Sequence, residues 1–123
     1  MLVKIDTREK FHVITIHEAT LAANMTEEMH NCLVPLLQNT VKNVVVNLKD
    51  IQTVDIAAAE TLVKLQQRFY ENNASFVICE LQPQVEETLD HSSLFELMNV
   101  TPTESEAWDI VQMEEIEREL LGD

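Results

Sequence analysis

The stretch Asn43-Val44-Val45-Val46-Asn47-Leu48 constrains this chain more than any other. Three consecutive β-branched residues at its centre favour a strand. The run does not alternate apolar with polar, so it belongs inside a sheet covered on both faces, as in parallel sheets. Parallel neighbours need a crossover, usually a helix, and the chain supplies one immediately. After Lys49-Asp50-Ile51-Gln52 and Thr53-Val54, Asp55 stands before a segment from about Ile56 to Asn72 in which Ala58, Leu62, Leu65 and Phe69 recur at helical spacing, with Ala59 alongside. Lys64, Gln67, Arg68 and Glu71 fall mainly on the other side. Asp55 is a good N-cap: its carboxylate is expected to accept from free N–H groups of the first turn.

The remaining elements follow from the same patterns. Leu2–Asp6 and Phe11–Ile16 read as strands joined by a polar hairpin connection, Thr7–Lys10. In the second strand Phe11, Val13 and Thr15 face one way, and His12, Ile14 and Ile16 the other. A helix capped by Asn24 or Thr26 carries Met29, Leu33, Leu36 and Leu37, and Pro35 should kink or break it. Asn72-Asn73 ends the long helix, because Asn tolerates the left-handed backbone that Gly usually supplies. The chain's single Gly, Gly122, lies far from that turn. Ser75–Cys79 reads as a strand and Pro83–Asp90 as a short helix; Leu94–Met98 is apolar and fits either type. Thr103 and Glu106 form a capping box that opens a last helix to about Leu121. Its first apolar face is Ala107, Ile110 and Val111. Met113, Ile116 and Leu120 continue an apolar stripe into an acidic extension, residues 113–123.

Strands alternating with helices predict an α/β sandwich: one domain over residues 1–123, with a mixed, mostly parallel sheet of four or five strands and about four helices. Hydrophobic residues make up 46% of the chain, enough for a sizeable core, and no apolar run approaches the ~20 residues of a membrane span. No basic-then-apolar leader opens the sequence, so a cytoplasmic location is expected. The net charge of −14 repels nucleic-acid backbones and anionic lipid, while steering a basic protein partner inward.

Catalytic patterns are absent. His12, His17, His30 and His91 show no metal-ligand spacing, and no metal or other cofactor is expected. One Gly cannot build a phosphate-binding loop, and there is no nucleophile elbow. Cys32 and Cys79 read as two buried reduced thiols. His91-Ser92-Ser93 reads as a helix-ending turn, and Trp108 as a half-buried residue rather than a partner anchor. The reading is of a binding protein, not an enzyme.

The segment from Val44 to Leu62 resembles the STAS family, which includes the bacterial anti-sigma-factor antagonists. Val45-Val46-Asn47-Leu48-Lys49-Asp50-Ile51 is similar to the family's buried strand and the turn after it. Thr53-Val54-Asp55 is similar to the approach to its switch loop, and Ala59–Tyr70 to the helix beyond. Asn72–Cys79 resembles the next turn and strand; Leu94–Met98 and Thr103–Ala107 resemble the closing stretch. The likeness runs from about residue 10 to residue 112.

The resemblance implies a non-catalytic, cytoplasmic, bacterial regulator of transcription, whose partner is an anti-sigma-factor-type kinase or another signalling protein. In the family a Ser directly after the Asp is phosphorylated by that partner. Here Ile56 follows Asp55, then Ala57 and Ala58, so the acceptor hydroxyl is missing. Thr53 and Thr61 are weak substitute acceptors. The expected docking set is Asp55, Ile56, Ala57 and Ala58, with Leu21 and Asn24 nearby. The alternative is a structural accessory subunit of a larger signalling or transporter complex, or a homodimer, built through the acidic last helix. A small-molecule site, marked by paired carboxylates at the strand ends, is the third reading.

Overall fold

The computed structural model describes residues 1–121; Gly122 and Asp123, the end of the acidic extension, lie outside the described residues. The elements in order are β1 (Val3–Thr7), β2 (Phe11–Ile16), β3 (Thr20–Leu21), α1 (Thr26–Leu33), β4 (Asn43–Asn47), β5 (Thr53–Val54), α2 (Ile56–Glu71), β6 (Phe76–Cys79), α3 (Pro83–His91), β7 (Val100–Thr101) and α4 (Glu104–Leu120). Short 3-10 turns occupy Ala23–Met25, Val34–Gln38 and Phe95–Leu97.

Five strands form one sheet in the order β1-β2-β4-β6-β7. The β1–β2 hairpin is antiparallel, and every other pairing in this sheet is parallel. β4 occupies the centre, where the valine run places it, and all five of its residues are buried. The mixed, mostly parallel sheet and four helices match the expected class.

The two faces of the sheet are covered unequally. On one face Ile14, Ile16, Val44, Val46, Phe76 and Ile78 meet α1, α2 and α3 in the larger core. On the other, Phe11, Val13, Val45, Val77 and Cys79 meet Ala107 and Val111 of α4. The alternation expected along β2 is therefore observed, with each set facing a different core.

Local chemistry explains most boundaries. Asn73 has φ of 58° and closes α2 as the left-handed residue. Thr103 Oγ1 accepts from the Glu106 N–H at 3.1 Å, forming the expected cap. Pro35 breaks the first helix rather than bending it: α1 ends at Leu33 and a 3-10 turn takes over. Neither Asn24 nor Thr26 caps that helix. A 3-10 turn precedes it, Met25 holds the cap position, and the Thr26 hydroxyl donates to the Ala23 carbonyl at 2.8 Å. The ambiguous Leu94–Met98 contains a 3-10 turn, and the edge strand β7 follows it.

Candidate functional site

The candidate site is the tip of α2, where the chain leaves the carboxyl end of the central strand. In open α/β sheets this rim carries ligands and partners. Leu48 and Ile51 anchor the connection in the core, at 2% and 0% exposure. β5 then pairs in parallel with β3, aligning Thr20 with Thr53 and Leu21 with Val54. The pairing draws residues 19–24 beside the tip. The Ala19 carbonyl accepts from Gln52 N–H at 2.6 Å, and the Leu21 carbonyl from Asp55 N–H at 2.9 Å.

Asp55 occupies the N-cap position of α2 with an extended backbone, as expected, but its side chain does not cap the helix. Its Oδ2 instead accepts from the Ala23 N–H at 2.8 Å. The carboxylate faces a donor from the neighbouring loop, so it ties the two segments together. The backbone carbonyl of Asp55 still accepts the first helical bond, from Ala59 N–H at 3.0 Å.

The tip sorts the expected docking residues into two groups. Asp55, Ile56, Ala57 and Asn24 are exposed. Leu21 and Ala58 are fully buried in the larger core, which corrects their assignment as contact residues. Leu21 is the inward residue of a two-residue strand, and Ala58 lies on the stripe with Leu62, Leu65 and Phe69. Ile56 is 44% exposed, so its side chain does not tuck into the domain.

Beside Ile56 lies an open groove of about 540 Å³ lined by Gln84, Glu87, Thr88, His91 and Ser92. Sequence reasoning missed the α3 residues, because nothing local in the chain signals that α3 packs next to the α2 tip. His91-Ser92-Ser93 is a helix-ending turn, as expected. Ser93 has φ of 62°, and Ser92 Oγ donates to the Leu89 carbonyl at 3.0 Å.

The two substitute hydroxyls differ. Thr61 is buried, and its Oγ1 donates to the Ala57 carbonyl at 3.0 Å. Thr53 is exposed and shares a 2.8 Å hydrogen bond with the Thr20 hydroxyl. Both cysteines are free. Cys79 is buried, with its thiol pushed up to about 12 by burial and then by the nearby Glu80 and Glu104 carboxylates. Cys32 is half-buried rather than buried, and partial desolvation raises its thiol too. Trp108 is 38% exposed and packs against Phe11 with ring centroids 6.4 Å apart.

Other polar groups gather at the same rim. His17 Nδ1 and Asp50 Oδ2 are 2.7 Å apart in an exposed pair. Buried Asn47 uses its Nδ2 to donate to Glu80 at 3.1 Å and to Glu104 at 3.3 Å, while its Oδ1 accepts from Lys49 N–H. Glu80 takes a left-handed backbone, φ 58°, to make this contact, at a cost of order 1–2 kcal/mol for a residue with a Cβ. Among the described residues no three His, Cys, Asp or Glu side chains are placed to hold a metal ion. No helix among them is long and apolar enough to cross a membrane.

An α/β layer with one hairpin edge and a helix tip raised at the carboxyl rim defines the class: a small domain with an exposed apolar side chain at a helix start. The family model of the STAS domain matches residues 3–107, and the chain belongs to that family. Solved structures share the fold. An anti-sigma factor antagonist from Mycobacterium paratuberculosis aligns with a TM-score of 0.77 at 10% identity, covering 90% of this chain and 93% of that one. The anti-sigma factor antagonist SpoIIAA in its unphosphorylated form aligns at 0.70 with 17% identity, covering 90% and 96%. The murine Solute Carrier 26 family member A9 anion transporter aligns at 0.69 with 16% identity, covering 84% of this chain but 18% of the transporter. The curated proteins contain no significant sequence match.

Proposed function

We propose that the chain is a non-catalytic, protein-binding regulator of the anti-sigma-factor-antagonist type, acting in cytoplasmic transcription signalling. It docks through Asp55, Ile56, Ala57 and Asn24. The observation that carries this reading is the exposure of Ile56 at the head of a helix whose other large aliphatic side chains are buried. Covering the exposed part of this side chain at a rigid tip gains about 1 kcal/mol, a share of the roughly 1.5–3 kcal/mol for burying a whole one. The Asp55 carboxylate bond to Ala23 keeps the two docking segments together before binding, which lowers the ordering cost.

The partner is an anti-sigma-factor-type kinase or another signalling protein. In the family the Ser after the Asp turns binding off when phosphorylated, by adding about −1.5 to −2 charges at the helix start. Ile56 stands at that place in this chain, and Ala57 and Ala58 carry no hydroxyl either. The docking surface is therefore permanently open to its partner. Incubation with such a kinase and ATP, followed by peptide mass spectrometry, is expected to leave residues 55–58 unmodified. A phosphate on Thr53 would put regulation back at the same loop through a different acceptor. Replacing Ile56 with Asp is expected to weaken capture of the partner by roughly tenfold or more, as loss of a buried apolar anchor implies. Unchanged capture contradicts the docking assignment.

A second reading is favoured by the likeness to the transporter, in which the matched region is a minor part of a larger chain. In this reading the domain is an accessory subunit of an assembly. Its complexes would survive Ile56→Asp and fail on changes to α4.

A further inference from the structure

We infer that the outward ridge of α4 is a second docking surface, one that takes an amphipathic helix with Lys or Arg flanks from another protein. The inference goes beyond the α2 tip and stands without it, since α2 and α4 pack on opposite faces of the sheet.

The ridge is the i±4 row Trp108, Gln112, Ile116 and Leu120, apolar but for Gln112, with Met113 beside it. Such rows are the surfaces that helices interlock. Met113, Ile116 and Leu120 also follow the three-then-four spacing of a helix seam. Their exposures are 59%, 56% and 82%, against 0% for Ala107 and Val111 on the side facing the sheet. Packing inside the domain does not account for them.

The lower half of α4 is fixed to the domain by polar bonds. Tyr70 OH donates to Glu114 at 2.8 Å, Asn43 Nδ2 donates to Glu115 at 2.6 Å, and Arg118 donates to Asn43 Oδ1 at 3.2 Å and to Ser75 Oγ at 3.1 Å. These contacts hold the helix rigid and leave the apolar ridge uncovered. They also point Arg118, the only basic residue on α4, toward the domain. Asp109, Glu117 and Glu119 are left as the exposed charges along the ridge. Lys10 and Arg8 reach the Trp108 end of this side, but Lys10 is paired with Glu115 at 3.7 Å and Arg8 with Asp6 at 3.0 Å.

Charge decides the occupant. A second copy would set acid against acid between two chains of net charge −14. A helix with basic flanks meets Asp109, Glu117 and Glu119 with opposite charge and covers the ridge with its own apolar seam.

The test uses the full chain and a synthetic helical peptide with Leu at a and d positions and Lys at e and g. A scrambled peptide of the same composition serves as the control. Trp108, the only Trp, reports binding by its emission, and calorimetry gives the affinity. Saturable binding of the patterned peptide is expected, with the scrambled peptide weaker. The double change Ile116→Ser with Leu120→Ser should weaken binding at least tenfold, and Met113→Ser should weaken it less. All three positions are exposed, so the variants are expected to fold, with circular dichroism as the check. Equal binding of both peptides, or no loss in the double variant, overturns the inference. A concentration-dependent dimer in sedimentation, abolished by the same substitutions, also overturns it, by assigning the ridge to a second copy.

Discussion

The two long helices, α2 and α4, are nearly equal in length, at 16 and 17 residues, but relate to the sheet differently. α2 buries seven residues, including Leu62, Leu65 and Phe69. α4 buries two, Ala107 and Val111, adds partly buried Ile110 and the Trp108–Phe11 contact, and is further held by polar bonds from Tyr70, Asn43 and Arg118. Exposed apolar residues on α2 are confined to its first turn, at Ile56 and Ala57; on α4 they run along the outer ridge. A helix that forms the core leaves apolar side chains exposed only at its tip. A helix laid over the sheet by small side chains offers its whole outer face.

Core substitution should break this contrast most sharply if it is wrong. Phe69→Ala is expected to cost about 3–5 kcal/mol, because the ring fills the larger core edge-on to Phe76. Ile116→Ala on α4 should stay within about 0.5 kcal/mol of the parent, as exposed positions do. Urea denaturation measures both, and equal costs would mean that α4 packs like α2. The polar clamp on α4 comes next. Asn43→Ala removes the acceptor for Ser75 N–H at 2.7 Å and the partner of Glu115 and Arg118. The loss should be about 1–3 kcal/mol, with hydrogen exchange rising through the second half of α4 and not in α2. A uniform rise would dissolve the distinction.

The pH dependence sharpens the comparison at the thinner core. Cys79 is raised in the folded state from 9 to about 12, so above pH 9 the unfolded chain loses a proton that the native one keeps. Stability should therefore fall as pH rises past 9, by up to about 1.4 kcal/mol per pH unit for that thiol. Tyr70, raised by burial and by Glu114, adds to the fall above pH 10. Cys79→Ala should flatten the first part of the profile in pH-dependent urea titrations. Asp55→Ala is expected to cost about 1 kcal/mol or less, for an exposed charge-assisted bond. The amide of Ala23 should exchange faster, while amides in the middle of α2 do not.

Much of this contrast is legible in the sequence, and the illegible parts share a cause. The valine run placed β4 in the sheet centre because burial on both faces leaves a continuous apolar signature. The stripe Ala58, Leu62, Leu65 and Phe69 placed α2 for the same kind of reason, and Asn73 and Thr103 marked their helix ends through local backbone chemistry. β3 and β5 escaped notice, since two residues carry no periodicity. That pair explains the corrections at the tip: it folds Leu21 inward and brings the Ala23 amide to Asp55, drawing the carboxylate away from its expected capping role. The Met113, Ile116 and Leu120 stripe was visible, but its fate was not. Whether such a face meets its own sheet depends on how the helix is rotated. Here Arg118, Glu114 and Glu115 set that rotation through residues distant in sequence.

The central claim is that proteins dock at the tip of α2 through an apolar contact with no hydroxyl trigger. The most direct measurement compares parent and Ile56→Asp proteins as baits in a lysate of the native cell, with captured proteins quantified by mass spectrometry. The account expects a specific partner on the parent that falls at least tenfold on the variant while the bait's unfolding midpoint stays the same. An identical set of partners on both baits would contradict it.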